Sequence, residues 1–310
     1  MKLAEIIKNY TLEDAQFSLS YIGLGFEEND SLEELKPQIL EFALDKNNFK
    51  KVLSVLPEYS YNKLVNEKVY EVTLESDVKY FNDLKIYSLG FGNNTIYVCD
   101  EFVEFLNNID LKEINKYREK QMWVYECVTF ANTFYAAYPF KILKDVIQTN
   151  TQIKISNTEL KKRVLDLPIS IGCRYMEEQD IIVNESYTEN LEDILKRQEN
   201  KPYYIPKYKE IVEYFNNGYI NNMQYDILSN YNKYLKAQYG SNAHILIFNT
   251  IATSYRVDEA IIGEFYDTNK FDSNKVFSEL AEVFKRVTNN TRNVYNRGFT
   301  TFEILSRKAN

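Results

Sequence analysis

The chain has little of what metal-built, disulfide-built and triad enzymes rely on. Among its 310 residues there is one histidine, three cysteines, one tryptophan and six prolines. With His244 alone, no catalytic triad, histidine metal cluster or HExxH site can be assembled, and its apolar neighbours Ile245, Leu246, Ile247 and Phe248 predict a hydrogen-bonded core histidine. Cys99, Cys127 and Cys173 are far apart, odd in number and without CxxC pairing. Neither a disulfide framework nor a structural zinc site is expected of them, only buried free thiols. No apolar run reaches the roughly 20 residues of a membrane span. Lys2, Glu5, Lys8 and Glu13 interrupt any signal-peptide pattern. A cytoplasmic protein with no metal, no cofactor and no membrane partner is the expectation.

What is present is apolar and aromatic: 45% hydrophobic and 15% aromatic residues predict well-filled cores, and the length allows two or three compact modules. Charge is uneven. Residues 1–110 hold 10 basic and 20 acidic side chains, whereas residues 201–310 hold 14 basic and 11 acidic. A net of −10 over the first third opposes a nucleic-acid footprint there and permits one further on.

Helical spacing and capping signals organise the chain. Thr11 with Asp14 and Ser31 with Glu34 read as capping boxes. Asn48 to Val65 reads as two short helices divided by Pro57. Leu84 to Leu89 and Thr95 to Cys99 flank Gly90-Phe91-Gly92-Asn93-Asn94, which predicts a β-hairpin. A phosphate loop is the competing reading, but the GK[ST] ending is missing. Leu111 to Asp145 is the strongest helical block, with Trp123, Val124, Cys127, Val128, Ala131, Phe134 and Tyr135 on one stripe. A capping box at Ser156 and Glu159 then opens a helix carrying Lys161, Lys162 and Arg163, and Ile169 to Val183 reads as two short strands around Arg174 to Gln179. Helices followed by a wing suggest a winged-helix-like module whose recognition helix starts at Ser156. If nucleic acid is a partner, Lys161, Lys162, Arg163 and Arg174 are the candidate phosphate contacts, on an exposed helix face and a wing. The other reading is a solvated face on a protein-binding wing, favoured by Glu177, Glu178 and Asp180.

Thr188 to Gln198 reads as an amphipathic helix. Three more are expected over Tyr208–Phe215, Asn222–Ala237 and His244–Tyr266. Tyrosines 203, 204, 208, 214, 219, 225, 231, 234 and 239 interleave with Lys201, Lys207, Lys209, Lys233 and Lys236, the composition of a base-stacking platform or, more simply, of half-buried helix faces. At the end, Ala281 to Tyr295 has helical spacing, Gly298 supplies a positive-φ stop, and Thr300 with Glu303 restarts a helix. Arg292, Asn296 and Arg297 either tie down that helix end or face a ligand, and tying-down is expected.

The Asn289-Asn290-Thr291-Arg292 to Leu305 stretch, together with Lys201-Pro202-Tyr203-Tyr204-Ile205-Pro206, resembles the C-terminal signature and hinge of a family of helical proteins from low-GC Gram-positive bacteria and their phages. Members of that family often carry an N-terminal SAP-like or Rho-N-like module and sometimes a C-terminal SEC-C zinc motif. Here Thr301 stands at the family's usual proline, and no SEC-C cysteines follow Leu305. The resemblance implies a shape and no chemistry. It agrees with a SAP-like helical module over 1–47, followed by winged-helix-like modules at 48–110 and 111–200 and a helical module at 201–310. The expected fold is thus mainly α with small β-hairpins. The expected function is a non-enzymatic adaptor or regulator acting through protein contacts, or a phage-encoded inhibitor whose acidic region occupies a nucleic-acid channel of a host enzyme. The alternative is a nucleic-acid-binding regulator using the basic helix. A nuclease built from dispersed Asp and Glu leaves no spacing signature, and nothing in the sequence supports one.

Overall fold

The computed structural model describes the chain apart from residues 23, 28, 87–89, 92–93, 221–227, 241–242, 256–262, 264–270 and 309–310. The described helices are α1 (Leu3–Lys8), α2 (Leu12–Ile22), α3 (Leu32–Leu44), α4 (Lys46–Val55), α5 (Glu58–Tyr61), α6 (Val78–Ile86), α7 (Asp100–Asn108) and α8 (Leu111–Tyr135). They continue with α9 (Phe140–Ile147), α10 (Asn157–Leu165), α11 (Leu191–Gln198), α12 (Tyr208–Asn217), α13 (Asn232–Tyr239), α14 (Ala243–Thr253), α15 (Asn274–Asn290) and α16 (Thr301–Lys308). Among the described residues there are also six short strands: β1 (Glu71–Thr73), β2 (Gly90–Phe91), β3 (Thr95–Val98), β4 (Ala137–Pro139), β5 (Cys173–Met176) and β6 (Ile181–Asn184). The chain is therefore mainly α with small antiparallel sheets, as its patterning predicts. Among the described residues no helix is long and apolar enough to cross a membrane.

Two compact units divide the chain: residues 1–125 with 155–172, and residues 126–154 with 173–310. The first carries 17 basic and 24 acidic residues, a net of −7, and the second a net of −1.

In the first unit the helix starts are those the capping signals name. The Ser31 N–H donates to Glu34 Oε2 at 2.8 Å, and Thr11 and Asp14 exchange hydrogen bonds of 3.0 and 3.1 Å. The hairpin is real but displaced. β3 lies between β1 and β2, pairing Val72 with Ile96 and Phe91 with Tyr97. Leu84 to Ile86, read from sequence as strand, ends α6 instead. Asp77 accepts the Tyr80 N–H at 3.0 Å, and Tyr80, Phe81 and Leu84 then bury one helical face. That burial outweighs the strand propensity of the same residues. The rest of the expected strand and turn, 87–89 and 92–93, lies outside the described residues. Phe49 meets Phe102 edge-on, their centroids 4.4 Å apart, and joins α4 to α7.

The second unit is built on the C-terminal part of α8, where Cys127, Val128, Phe130, Ala131, Phe134 and Tyr135 are buried. Ala136 leaves the helix at φ 62°, and its carbonyl accepts the Asn184 N–H at 2.7 Å, which aligns β4 with the central strand β6. β6 also pairs with β5, Arg174 opposite Val183 and Tyr175 opposite Ile182. Thus α10 belongs to the first unit and the β5–β6 hairpin, read as its wing, to the second. The helix expected over Thr188–Gln198 begins as a 3-10 turn, Glu185–Asn190. Expected helical residues 222–227, 256–262 and 264–266 lie outside the described residues, as does the side chain of His244.

Near the end the helical spacing misleads. α15 stops at Asn290, not Tyr295. The Asn293 side chain accepts the Tyr295 N–H at 2.8 Å and starts a separate 3-10 turn, Val294–Asn296, whose Val294 is buried with Ala136 and Ile194. Arg297 and Gly298 then both take left-handed backbone, at φ 49° and 81°. The Thr300 capping box follows as expected, with Thr300 N–H to Glu303 Oε2 at 2.9 Å and Glu303 N–H to Thr300 Oγ1 at 3.1 Å.

Candidate functional site

The basic helix α10 opens at Ser156, whose hydroxyl accepts the Glu159 N–H at 3.2 Å. Leu160, Arg163 and Val164 form its buried face. Arg163 is thus not on the exposed face expected for it. Its side chain is 8% exposed and makes Nε and Nη2 contacts of 3.1 and 3.0 Å to Glu159 Oε1, with Nη1 contacts to the Tyr117 carbonyl and Gln121 Oε1 at 3.1 and 3.3 Å. The guanidinium also lies 4.4 Å from the Tyr117 ring centroid. The physical reason is position: residue 163 falls three after Leu160 on the inward stripe, and Glu159 and Tyr117 supply a charge and an aromatic face there. Burial pushes the Glu159 carboxyl up, but hydrogen bonds and charges from Lys120 and Arg163 win, holding it below its ordinary value. Lys162 is exposed and Lys161 half-buried. In the second unit Arg174 is exposed and shares Glu185 Oε1 through Nε and Nη2 at 3.2 and 3.1 Å.

The C-terminal residues form a denser network, within the second unit. The Arg292 guanidinium donates to Glu210 Oε1 at 3.0 and 2.7 Å, to Glu303 Oε2 at 3.1 Å and to the Gly298 carbonyl at 3.0 Å, and lies 3.3 Å from the Tyr204 ring centroid. Arg292 and Glu210 side chains are 11% and 17% exposed. Glu210 Oε2 accepts from the Tyr204 hydroxyl at 2.6 Å and the Lys207 N–H at 2.8 Å. Burial raises the Glu210 carboxyl, and the Arg292 charge with these donors more than offsets it, so its pKa is held below the ordinary value. Arg297 donates to Gln198 Oε1 at 3.2 Å and the Lys201 carbonyl at 2.5 Å, and the Asn296 amide reaches Thr301 Oγ1 at 3.5 Å. Gly298 has no room for a side chain, since a Cβ would lie 2.9 Å from Tyr135 Cε1. All four residues therefore fasten chain segments to one another.

Several tyrosines of 201–239 are likewise tied inward. Tyr203 donates to the Ala137 carbonyl at 3.0 Å, the Tyr214 and Thr133 hydroxyls hydrogen-bond to each other at 2.6 Å, and Tyr234 donates to Asp272 at 2.9 Å. Tyr203 and Tyr204 are half-buried in the extended segment before α12, Tyr214 is half-buried on α12, Tyr234 is buried on α13, and Tyr208 is exposed. A polar cleft of about 670 Å³ in the second unit is walled by Lys196, Arg197, Lys201, Tyr255, Asn293 and Asn296 among others. Its charges are largely spent: Arg197 pairs with Asp193 at 2.6 Å, and Lys201 Nζ donates to the Arg197 and Tyr295 carbonyls at 2.6 and 3.2 Å.

Cys99 and Cys127 are buried and Cys173 half-buried; all three are free, and burial pushes each thiol above its ordinary range. Among the described residues no group of three or more His, Cys, Asp or Glu is placed to hold a metal ion. Sequence reasoning missed Arg118, which is buried and donates to the Leu53 carbonyl at 3.1 Å and to Glu58 at 3.2 Å. Its position five residues before the buried stripe of Trp123 offered no signal, because its partners are about sixty residues away in the chain. No family model, curated protein or solved structure matches this chain.

Proposed function

We propose that this chain is a non-enzymatic adaptor or regulator that works through protein contacts of its acidic first unit. The observation that carries this reading is the inward turn of Arg163. One of the three cations of the basic helix is consumed by Glu159, Tyr117 and Gln121, inside a unit whose net charge is −7. A phosphate backbone approaching Lys162 meets an excess of carboxylates, and non-specific nucleic-acid affinity comes almost entirely from cations that neutralise phosphates. An inhibitor that fills a nucleic-acid channel with acidic surface is one form such a contact takes.

The test is affinity capture on immobilised full-length chain from a low-GC bacterial lysate, with and without nuclease. The expected result is a near-stoichiometric protein partner whose capture ignores nuclease, and purified chain without excess absorbance at 260 nm. Co-purifying nucleic acid, with capture lost on nuclease treatment, overturns the reading.

A further inference from the structure

We propose that the first unit seats a basic amphipathic protein segment, with an apolar anchor side chain entering the groove between α7 and the junction of α3 and α4. The proposal rests on the protein-contact reading and names the chemistry of the partner. The groove encloses about 410 Å³, room for one or two large side chains. Its floor is the ring of Phe49, held against Phe102 and Phe105 at 4.4 and 5.8 Å between centroids. Leu44 and Ile109 form its apolar walls, and Leu44, the last residue of α3, is 44% exposed.

Charge selects the occupant. Glu101 and Glu104 stand one turn apart on α7 and both line the groove beside Phe105. Glu104 is exposed and makes no ion pair among the described residues, while the Glu101 carboxylate is met by neutral donors, the Leu3 N–H at 3.0 Å and the Cys99 thiol. Lys46 is the one cation in the lining, on the opposite side. An apolar floor bordered by carboxylates on a helix is the complement of a helix whose anchor is flanked by Lys or Arg a turn away. An acidic segment or a nucleic acid meets repulsion from the same groups, and an uncharged apolar segment leaves the rim carboxylates without the counter-charge that fixes orientation.

The experiment titrates full-length chain with three fluorescent helix-forming peptides of equal length: Leu/Phe with Lys, the same with Glu for Lys, and the same with Ala for Leu and Phe. The Lys peptide is expected to bind at least about tenfold more tightly than the others, with affinity falling as salt rises. Leu44→Asp and Glu104→Lys, both at exposed positions, are each expected to weaken it about fivefold or more while the thermal midpoint stays put. Equal binding of all three peptides, or affinity unaltered in both folded variants, overturns the groove. If the double variant Leu44→Asp/Glu104→Lys captures the lysate partner as well as the native chain does, the groove fails and the protein-contact reading stands. Capture of nucleic acid takes down both.

Discussion

Replacing Arg292 with alanine removes the centre of the C-terminal network and leaves Glu210 as a carboxylate 17% exposed with no counter-charge. Breaking a buried ion pair from one side costs about 3–5 kcal/mol. Glu210 keeps the Tyr204 hydroxyl and the Lys207 N–H, and the Glu303 partner is 36% exposed and contributes little. The lower end, about 3 kcal/mol, therefore applies. The second unit spans residues 126–154 and 173–310, a size at which each kcal/mol moves the midpoint by about 2–4 °C, so a fall of about 6–12 °C is expected at pH 7. The effect carries a pH signature. In the native chain the Glu210 pKa is held below its ordinary value, so its stabilisation is complete above the ordinary carboxyl range and is lost as pH falls through the lowered value. Without Arg292 burial dominates, the pKa rises, and protonation relieves the unpaired charge. The gap between native and variant midpoints must then narrow as pH drops from neutral towards the carboxyl range. Differential scanning calorimetry across that range measures it, and a shift under about 2 °C, or a gap that does not narrow, refutes the reasoning.

Gly298→Val places a β-branched residue at φ 81° with its Cβ 2.9 Å from Tyr135 and 3.3 Å from Tyr204, and should cost about 3 kcal/mol in a denaturant titration. A near-native midpoint would mean that the turn relaxes freely. Arg163→Ala should cost about 2 kcal/mol because it leaves the Tyr117 carbonyl and Gln121 Oε1 without their buried donor while Lys120 keeps Glu159 paired, whereas Lys162→Ala should fall within about 0.5 kcal/mol of native. Reversing Lys161, Lys162 and Arg163 together is therefore expected to unfold the first unit instead of reporting on binding, which circular dichroism of the triple variant checks. Burial alone pushes the Glu126 carboxyl from 4.5 to about 7. With the folded pKa raised, the native chain loses stability as pH rises between those values, and Glu126→Gln should flatten that slope and be the more stable form at pH 8. Parallel pH curves for the two chains would contradict it.

Much of the local structure was legible because its causes are local. Capping boxes at Thr11, Ser31 and Thr300, the long apolar stripe of α8 and the positive φ of Gly298 all arise from residues within a few positions of one another. The β2–β3 hairpin was visible, but its first strand was placed too early because Leu84 to Ile86 satisfy helical and strand patterns alike, and only burial of Tyr80, Phe81 and Leu84 decides. The inward position of Arg163 had a signal, its place between Leu160 and Val164, which a cation masks in any apolar pattern. The Arg292 network had none, since Glu210 lies 82 residues from Arg292 in sequence and Tyr204 further still. For the same reason the grouping of α10 with the first unit is set by packing against α8, through Tyr117 and Gln121, and not by the punctuation that marks segments along the chain.

Arg118, Arg163 and Arg292 are spent inside the fold, and the proposed protein-contact function requires that the remaining cations not bind nucleic acid. Fluorescence anisotropy of full-length chain with labelled single-stranded and duplex DNA and RNA, at low salt where phosphate contacts are strongest, tests it most directly. No saturable binding is expected up to roughly tens of micromolar chain. Micromolar, salt-sensitive binding that disappears in a folded Lys161→Glu/Lys162→Glu variant would contradict it.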